Sequence, residues 1–325
     1  MTALLDVRDL RLHYSTPQGP VRAVDGVSFE IAEPGEVVGI VGESGSGKTS
    51  LAHAVMRLLP RNVARYEGQV LYEGRDLMAL SDEEFRKEVR WRTIAMVFQG
   101  AMSSLNPVLD VGRQVTERVL VERGASKREA YGRAAELLEL VGLPRETLRR
   151  YPHELSGGMK QRAVLAMALM MDPRILILDE PTSALDVSVQ AQVMNLLKRL
   201  KADRRMAMLF ITHDIALASD ICDRIVVAYA GEHVESGSLE EVLTHPQHPY
   251  TQRLLASVPR LHDPTQPEFL PGSSPDLTAP PTGCRFHPRC PSAFEPCDAQ
   301  TPPWFETGGT QRARCWLHGP PEAGG

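Results

Sequence analysis

The 325-residue sequence predicts an α/β fold, a parallel sheet flanked by helices and followed by an irregular tail. Three observations predict it. Short apolar runs alternate with amphipathic runs as far as about residue 235. One apolar run feeds a glycine-rich loop that opens a helix. After about Gly237 the composition shifts, and 16 of the 25 prolines lie from Pro246 onward. Such a segment cannot be mainly helix or sheet, because each proline removes a backbone donor.

The elements follow in order. Glu36 to Gly42 (EVVGIVG) reads as a buried strand. KTSLAHAVMRLL continues as a helix with Leu51, Val55, Leu58 and Leu59 on one face. Ile94 to Gln99 reads as a second strand. Ser126 and Glu129 form a capping box before a helix bearing Ala130, Ala134, Leu137, Leu138 and Val141, which stops near Gly142. RILILDEP is a strand ending in two acids, and VSVQAQVMNLLKRLKAD is an amphipathic helix. AMLFITHD and RIVVAYAG are further strands. No internal repeat is visible.

Bulk properties exclude several classes. The content of 42% hydrophobic and 24% charged residues is that of a soluble globular protein of about two domains. A net charge of −5 offers no broad nucleic-acid surface. The longest apolar run, Ala163 to Met171, is about half the ~18 residues a membrane-spanning helix needs. MTALLDVRDL lacks a basic stretch followed by an apolar one, so no secretory signal is expected. The expected location is cytosolic, or at a membrane through a partner.

Three motifs carry chemistry. GESGSGKT (Gly42 to Thr49) fits G-x-x-x-x-G-K-[ST], with a strand before it and a helix after it. The glycines let backbone N–H groups curl around phosphates at a helix N-terminus. Lys48 reaches the β- and γ-phosphates, and the Thr49 hydroxyl suits Mg²⁺. ILILDE puts Asp179 and Glu180 at the carboxyl end of a strand, where ligands bind in open parallel sheets. Asp179 suits the Mg²⁺ shell through water. Glu180 suits a base for an attacking water; a pair of surface acids is the bland alternative. His213 ends another strand and could reach a γ-phosphate, although a lone histidine is more often structural.

LSGGMKQR (Leu155 to Arg162) is a second anion cradle, with Ser156, Gly157 and Gly158 opening a helix. A second cradle makes sense if it closes on the γ-phosphate from the opposite side, across a head-to-tail pair of subunits. An ordinary serine N-cap is the alternative.

In this order the motifs resemble those of ABC transporter ATPase subunits, from about Leu4 to Gly237. GESGSGKT matches Walker A, ILILDE Walker B, LSGGMKQR the signature and Ser183 to Asp186 (SALD) the D-loop. Gln99 stands as the Q-loop residue and His213 as the switch histidine. The resemblance implies a P-loop NTPase (RecA-like) parallel sheet core, an antiparallel β-subdomain and an α-helical signature subdomain. It implies nucleotide contacts at Gly42, Ser44, Gly45, Ser46, Gly47, Lys48, Thr49, Ser50, Gln99, Asp179 and His213. Ser156, Gly157, Gly158 and Asp186 complete the nucleotide set, and Tyr14 stacks on adenine unless it is a buried strand tyrosine. Mg²⁺ would be held by Thr49, Gln99 and Asp179, with Glu180, His213 and Gln99 catalytic.

MSSLNP (Met102 to Pro107), YPHELSGGM, DVSVQAQVMNLL and HPQHPYTQRLLASVPRL (His245 to Leu261) are similar to stretches of the oligopeptide/dipeptide (peptide/nickel) importer ATPases. This resemblance implies four parts. Residues 1–98 would be the ATP-binding core with Walker A and the β-subdomain. Residues 99–158 would be the helical subdomain with the Q-loop and the signature, in which the stretch from about Gln99 to Tyr151 carries the docking surface for the membrane subunits. Residues 159–237 would complete the core with Walker B, D-loop and switch histidine, and 238–325 would be the peptide-importer tail. Gly100-Ala101 departs from the family's usual Asp-Pro and bears on coupling to the membrane partner.

Four of the five cysteines crowd the tail as C-x5-C-x6-C-x17-C. Four thiolates can hold zinc or a [4Fe–4S] cluster, and the short C-x2–4-C pairs usual for structural zinc are absent. Free thiols or disulfides are the alternatives. The importer resemblance implies a [4Fe–4S] cluster on Cys284, Cys290, Cys297 and Cys315, with zinc second. Cys222 reads as a small core residue.

The expected activity is ATP hydrolysis driving import of peptides or related solutes, through ATP-dependent closure of an ATPase pair. The implied partners are a second ATPase subunit, paralogous rather than identical, two transmembrane permease subunits and an extracytoplasmic solute-binding protein, with no nucleic acid. The implied place is peripheral, on the cytoplasmic face of the plasma (inner) membrane. A soluble ABC ATPase acting on nucleic acid or the ribosome is the alternative, but long coiled-coil inserts and a second cassette are absent. A redox regulator built on the cysteines is the other.

Overall fold

The structure is a computed structural model that describes residues 2–100, 103–122, 124–183, 185–257 and 272–319. The chain divides into two compact units. The first comprises Met1–Ala32, Val37–Met78 and Phe210–Gly325; the second comprises Glu33–Glu36 and Ala79–Leu209.

The first unit opens with β1 (Leu5–Thr16) and β2 (Gly19–Ile31), an antiparallel hairpin whose alternation buries Leu5, Val7, Leu10 and Leu12. β3 (Val37–Val41) is buried at every position and delivers the chain to the glycine loop and α1 (Lys48–Val55). β4 (Val63–Tyr72) and the short β5 (Arg75–Asp76) complete a four-stranded antiparallel sheet of order β2-β1-β4-β5. Helix α1 ends earlier than expected. Arg57 adopts φ 49° and Pro60 follows, so Leu58 and Leu59 lie outside the helix.

The second unit holds the single turn α2 (Asp82–Glu84), β6 (Ile94–Val97), α3 (Val111–Glu122) and α4 (Lys127–Leu140). It continues with α5 (Gly157–Leu169), β7 (Ile175–Asp179) and α6 (Val187–Arg204). The capping box forms as expected: the Glu129 amide donates to Ser126 Oγ and the Ser126 amide to Glu129 Oε2. Gly142 stops the helical turn with φ 73°. Strands β6 and β7 pair in parallel with every residue buried. β6 ends at Val97, two residues short of the expected limit, so Gln99 lies in the exposed turn beyond it. The apolar run Ala163–Met171 belongs mostly to α5.

β8 (Ala207–Thr212) spans the point of division, and the chain re-enters the first unit through α7 (Ile215–Ile221). β9 (Arg224–Tyr229) pairs parallel with β3, and β10 (Glu232–Ser238) returns antiparallel beside β9. α8 (Leu239–Thr244) and α9 (Pro249–Ala256) follow, each with its own N-cap, Ser238 and His248. The tail is largely irregular but contributes two strands, β11 (Phe305–Gly308) and β12 (Gln311–Ala313), with β12 pairing onto β10. Cys222 is a buried core residue as expected, against Gly39 of β3. Among the described residues, no helix is long and apolar enough to cross a membrane.

Candidate functional site: a phosphate loop, an acidic strand end and a cysteine-lined tail

The glycine loop is shaped by neighbouring backbone. A side chain at Gly42 would meet the Ala228 carbonyl at 2.1 Å, and one at Gly47 the Ala23 carbonyl at 2.0 Å. Gly47 has φ 98° and caps α1, so its left-handed backbone turns successive N–H groups inward at the helix start. Lys48 is 6% exposed, and its Nζ donates to the Gly42 and Glu43 carbonyls at 2.8 and 2.7 Å. The ammonium is thus held within the loop by the loop's own carbonyls and Ser46 Oγ. Ser46 is buried, Thr49 and Ser50 are half-buried, and Ser44 and Gly45 are exposed at the loop tip. Tyr14 lies half-buried on β1, opposite Val21 and Val63. His213 is exposed just after β8.

In the second unit Asp179 is 1% exposed at the end of β7. Glu180 follows with φ 46°, a left-handed conformation costly for a side chain of this size. The turn is held by Ser183, whose N–H and Oγ donate to the Glu180 carbonyl at 3.1 and 2.9 Å. Gln99 Nε2 donates to Glu180 Oε2 at 3.0 Å. The candidate base and the Q-loop residue, 81 positions apart, are therefore in contact. Asp186 caps α6, and the Ser188 hydroxyl donates to it; this holds its carboxyl below the usual range.

Ser156 and Gly157 are exposed at the start of α5. Ser156 Oγ accepts from the Met159 amide at 3.3 Å, which is the N-cap contact. A side chain at Gly158 would meet Val189 Cγ1 at 2.2 Å, so this glycine lets α5 pack on α6. Ala101, half of the Gly100-Ala101 departure from the importer pattern, and Met102, the first residue of the MSSLNP match, lie outside the described residues.

The tail brings its cysteines together. Cys284, Cys290, Cys297 and Cys315 line one small cavity with His248, Phe286 and Trp316. Its volume is about 10 Å³, room for roughly one water. Burial pushes the Cys284 thiol up to about 12 and the Cys315 thiol up to about 11, and it raises Cys290 as well. Among the described residues no three His, Cys, Asp or Glu side chains form a group that could hold a metal ion.

Three residues that the motifs did not indicate touch the phosphate loop. Arg289 forks onto the Glu43 carboxylate, Tyr250 Oη accepts from the Glu43 amide, and the Ser274 hydroxyl donates to Glu43. Tyr250 belongs to the HPQHPYTQR stretch, whose likeness to the importers was the only available signal.

Comparison with known proteins follows the same lines. The ABC transporter family matches residues 24–183, and the C-terminal region of oligopeptide/dipeptide transporters matches residues 234–297. The chain is 44% identical over 322 residues to the oligopeptide transport ATP-binding protein OppD of Bacillus subtilis, covering 98% of this chain and 89% of that one. It is 45% identical over 314 residues to OppD of Escherichia coli, covering 96% and 92%. It is 43% identical over 321 residues to the dipeptide transport ATP-binding protein DppD of Caldanaerobacter subterraneus, covering 98% of each chain. Among solved structures, a dimeric ATP-binding cassette in a post-hydrolysis state with ADP and Pi aligns at TM-score 0.64 and 31% identity, covering 72% of this chain and 98% of that one. CbiO1 of Clostridium perfringens aligns at TM-score 0.64 and 27% identity, covering 75% and 92%. The motifs, the fold and the near full-length matches agree: the chain belongs to the ABC transporter ATP-binding proteins, in the oligopeptide/dipeptide branch.

Proposed function

We propose that this chain is the ATP-hydrolysing subunit of an importer for oligopeptides, dipeptides or related solutes. The observation that carries the reading is the match to peptide-transport ATP-binding proteins along almost the whole chain, tail included. Nothing in the comparisons favours a nucleic-acid role.

Each residue has a physical task. The amides from Ser44 to Ser50, with Lys48, hold the phosphates of ATP, and Tyr14 offers a ring face to the base. The Thr49 hydroxyl, Gln99 and the Asp179 carboxylate are hard oxygen donors suited to Mg²⁺, which neutralises phosphate charge when bound. Glu180 orients an attacking water and takes its proton, with Gln99 and His213 positioning the reactants. Ser156, Gly157, Gly158 and Asp186 of one subunit close on ATP held by another. ATP binding then draws two subunits together, and hydrolysis parts them. We assign the stretch from about Gln99 to Tyr151 to docking on two transmembrane permease subunits, at the cytoplasmic face of the membrane. A paralogous ATPase completes the pair, and a solute-binding protein delivers substrate.

The four tail cysteines fit a sulfur-ligated group in donor chemistry and convergence, since all four face one apolar cavity. Among the described residues they are not set as a ligand group. We retain a [4Fe–4S] cluster on Cys284, Cys290, Cys297 and Cys315, with zinc as the alternative. Such a group would supply the cross-link that a proline-rich segment lacks.

The test is ATPase activity of the chain purified with its permease and binding protein in lipid. Stimulation by peptide-loaded binding protein is expected, and loss of that stimulation in Glu180→Gln. Activity indifferent to every peptide tested would remove the substrate assignment.

A further inference from the structure

The second residue of the phosphate loop, Glu43, is a carboxylate beside a site built for anions. Left alone it would repel the phosphates of ATP. The tail covers it. Arg289 Nη1 and Nη2 donate to the two Glu43 oxygens at 2.8 and 3.0 Å. The guanidinium is well buried, with the side chain 7% exposed. It also lies 5.8 Å above the Tyr229 ring, and Nη1 donates to the Tyr229 hydroxyl at 3.3 Å. A two-point fork of this kind fixes direction as well as charge.

A second contact fixes the Glu43 backbone. Its N–H donates to Tyr250 Oη at 2.9 Å. That amide therefore faces the tail, while the carbonyl of the same residue accepts from Lys48 Nζ at 2.7 Å. Tyr250 is fully buried and packs in an aromatic group with Tyr229 and Phe286, at ring separations of 4.5 and 5.4 Å. The anchor is rigid. It also stands next to the cysteine cavity: Arg289 precedes Cys290, and the Tyr250 amide donates to Nδ1 of His248, which lines that cavity.

We propose that the tail is a positioning element for ATP: Arg289 neutralises and pins Glu43, Tyr250 orients its peptide, and the affinity of the phosphate loop for nucleotide depends on both. The inference rests on the ATP-binding reading of Gly42–Thr49. Arg289 touches no reacting atom; it acts through Glu43.

The test is equilibrium binding of ATP and ADP to the full chain, followed by titration calorimetry with folding checked by circular dichroism. Arg289→Gln leaves the Glu43 charge uncovered and is expected to weaken ATP about tenfold, and ADP less, since ADP brings less charge. Adding Glu43→Gln to that variant removes the repulsion and is expected to recover most of the affinity. A merely structural ion pair predicts equal losses for ATP and ADP, since it does not act through charge beside the phosphates. Tyr250→Phe keeps the packing, loses the acceptor and is expected to weaken ATP about threefold. Should Arg289→Gln fail to fold, Arg289→Lys tests the fork alone: it keeps the cation over Glu43 but loses the two-point contact, and a smaller loss of ATP affinity, about threefold, is expected. Unchanged ATP affinity in Arg289→Gln and Tyr250→Phe, or a double variant no better than Arg289→Gln alone, overturns the proposal. A wild-type chain that binds no nucleotide overturns the ATP-binding reading instead.

Discussion

Gln99 Nε2 donates to Glu180 Oε2 across 3.0 Å, tying the turn after β6 to the acid after β7. The contact occupies one oxygen of the group assigned to activate water. The strained φ of 46° at Glu180 and the two bonds from Ser183 to its carbonyl keep that carboxylate at the strand end. Glu180→Gln keeps the shape and an acceptor for Gln99 but not the basicity. It is expected to bind ATP normally and hydrolyse it roughly 10²–10⁴-fold more slowly. Single-turnover hydrolysis checks this, and near-normal turnover would remove the base role.

Lys48→Ala takes a buried ammonium out of the loop. A charge-assisted contact to phosphate is worth roughly 1.5–3 kcal/mol, so the ATP dissociation constant should rise about 10- to 150-fold. Calorimetric titration of folded variant with ATP is the measurement. Binding within a factor of two of wild type would contradict the phosphate role.

Gly158→Ala tests packing under the signature. Within a helix alanine is worth about 1 kcal/mol over glycine, yet here its methyl group meets Val189 Cγ1 at 2.2 Å. Valine is stiff at χ1 and cannot swing aside. Steric cost of roughly 1–3 kcal/mol for overpacking exceeds the propensity gain. The denaturation midpoint should fall; a rise would show that α5 and α6 have slack.

His233 predicts acid sensitivity. It is fully buried on β10, with Arg312 and Arg314 nearby, and burial first, then these cations, hold its pKa down to about 3. An unfolded histidine titrates near 6.5. Between about 6.5 and 3 the unfolded chain binds a proton that the folded chain does not. Stability contributed by the neutral ring is therefore complete above that window and is lost as pH falls through it, at about 1.4 kcal/mol per pH unit. Chemical denaturation from pH 7 to 5 should show His233→Phe with a shallower slope than wild type. Equal slopes would mean that His233 is not the sensor.

Much of this molecule is legible in its residues because local patterns dominate there. The glycine loop, the Ser126–Glu129 box and the apolar runs of strands β3, β7 and β9 each rest on neighbours in sequence. Helix α1 was overestimated because the face Leu51–Val55–Leu58 keeps its period past Arg57, where only the backbone turns. The antiparallel order β2-β1-β4-β5 depends on which strands meet, and alternation alone does not choose partners. In the tail, proline content pointed to irregular chain, yet Gly308 and Gly309 turn β11 into β12 as a short hairpin, and β12 pairs onto β10. The contacts of Arg289 and Tyr250 with Glu43 span 246 and 207 positions, and no local pattern encodes them. The convergence of Cys284, Cys290, Cys297 and Cys315 was suggested by family likeness, since their spacing alone left several chemistries open.

The assignment of Ser156 to a neighbouring subunit's nucleotide is tested most directly by the mass of the Glu180→Gln chain in solution. The measurement is light scattering with saturating ATP and Mg²⁺, alone and with its paralogous partner. Dimers that form with ATP, disperse with ADP and fail to form in Ser156→Arg are the predicted result. Monomers under all of these conditions would contradict ATP-driven closure.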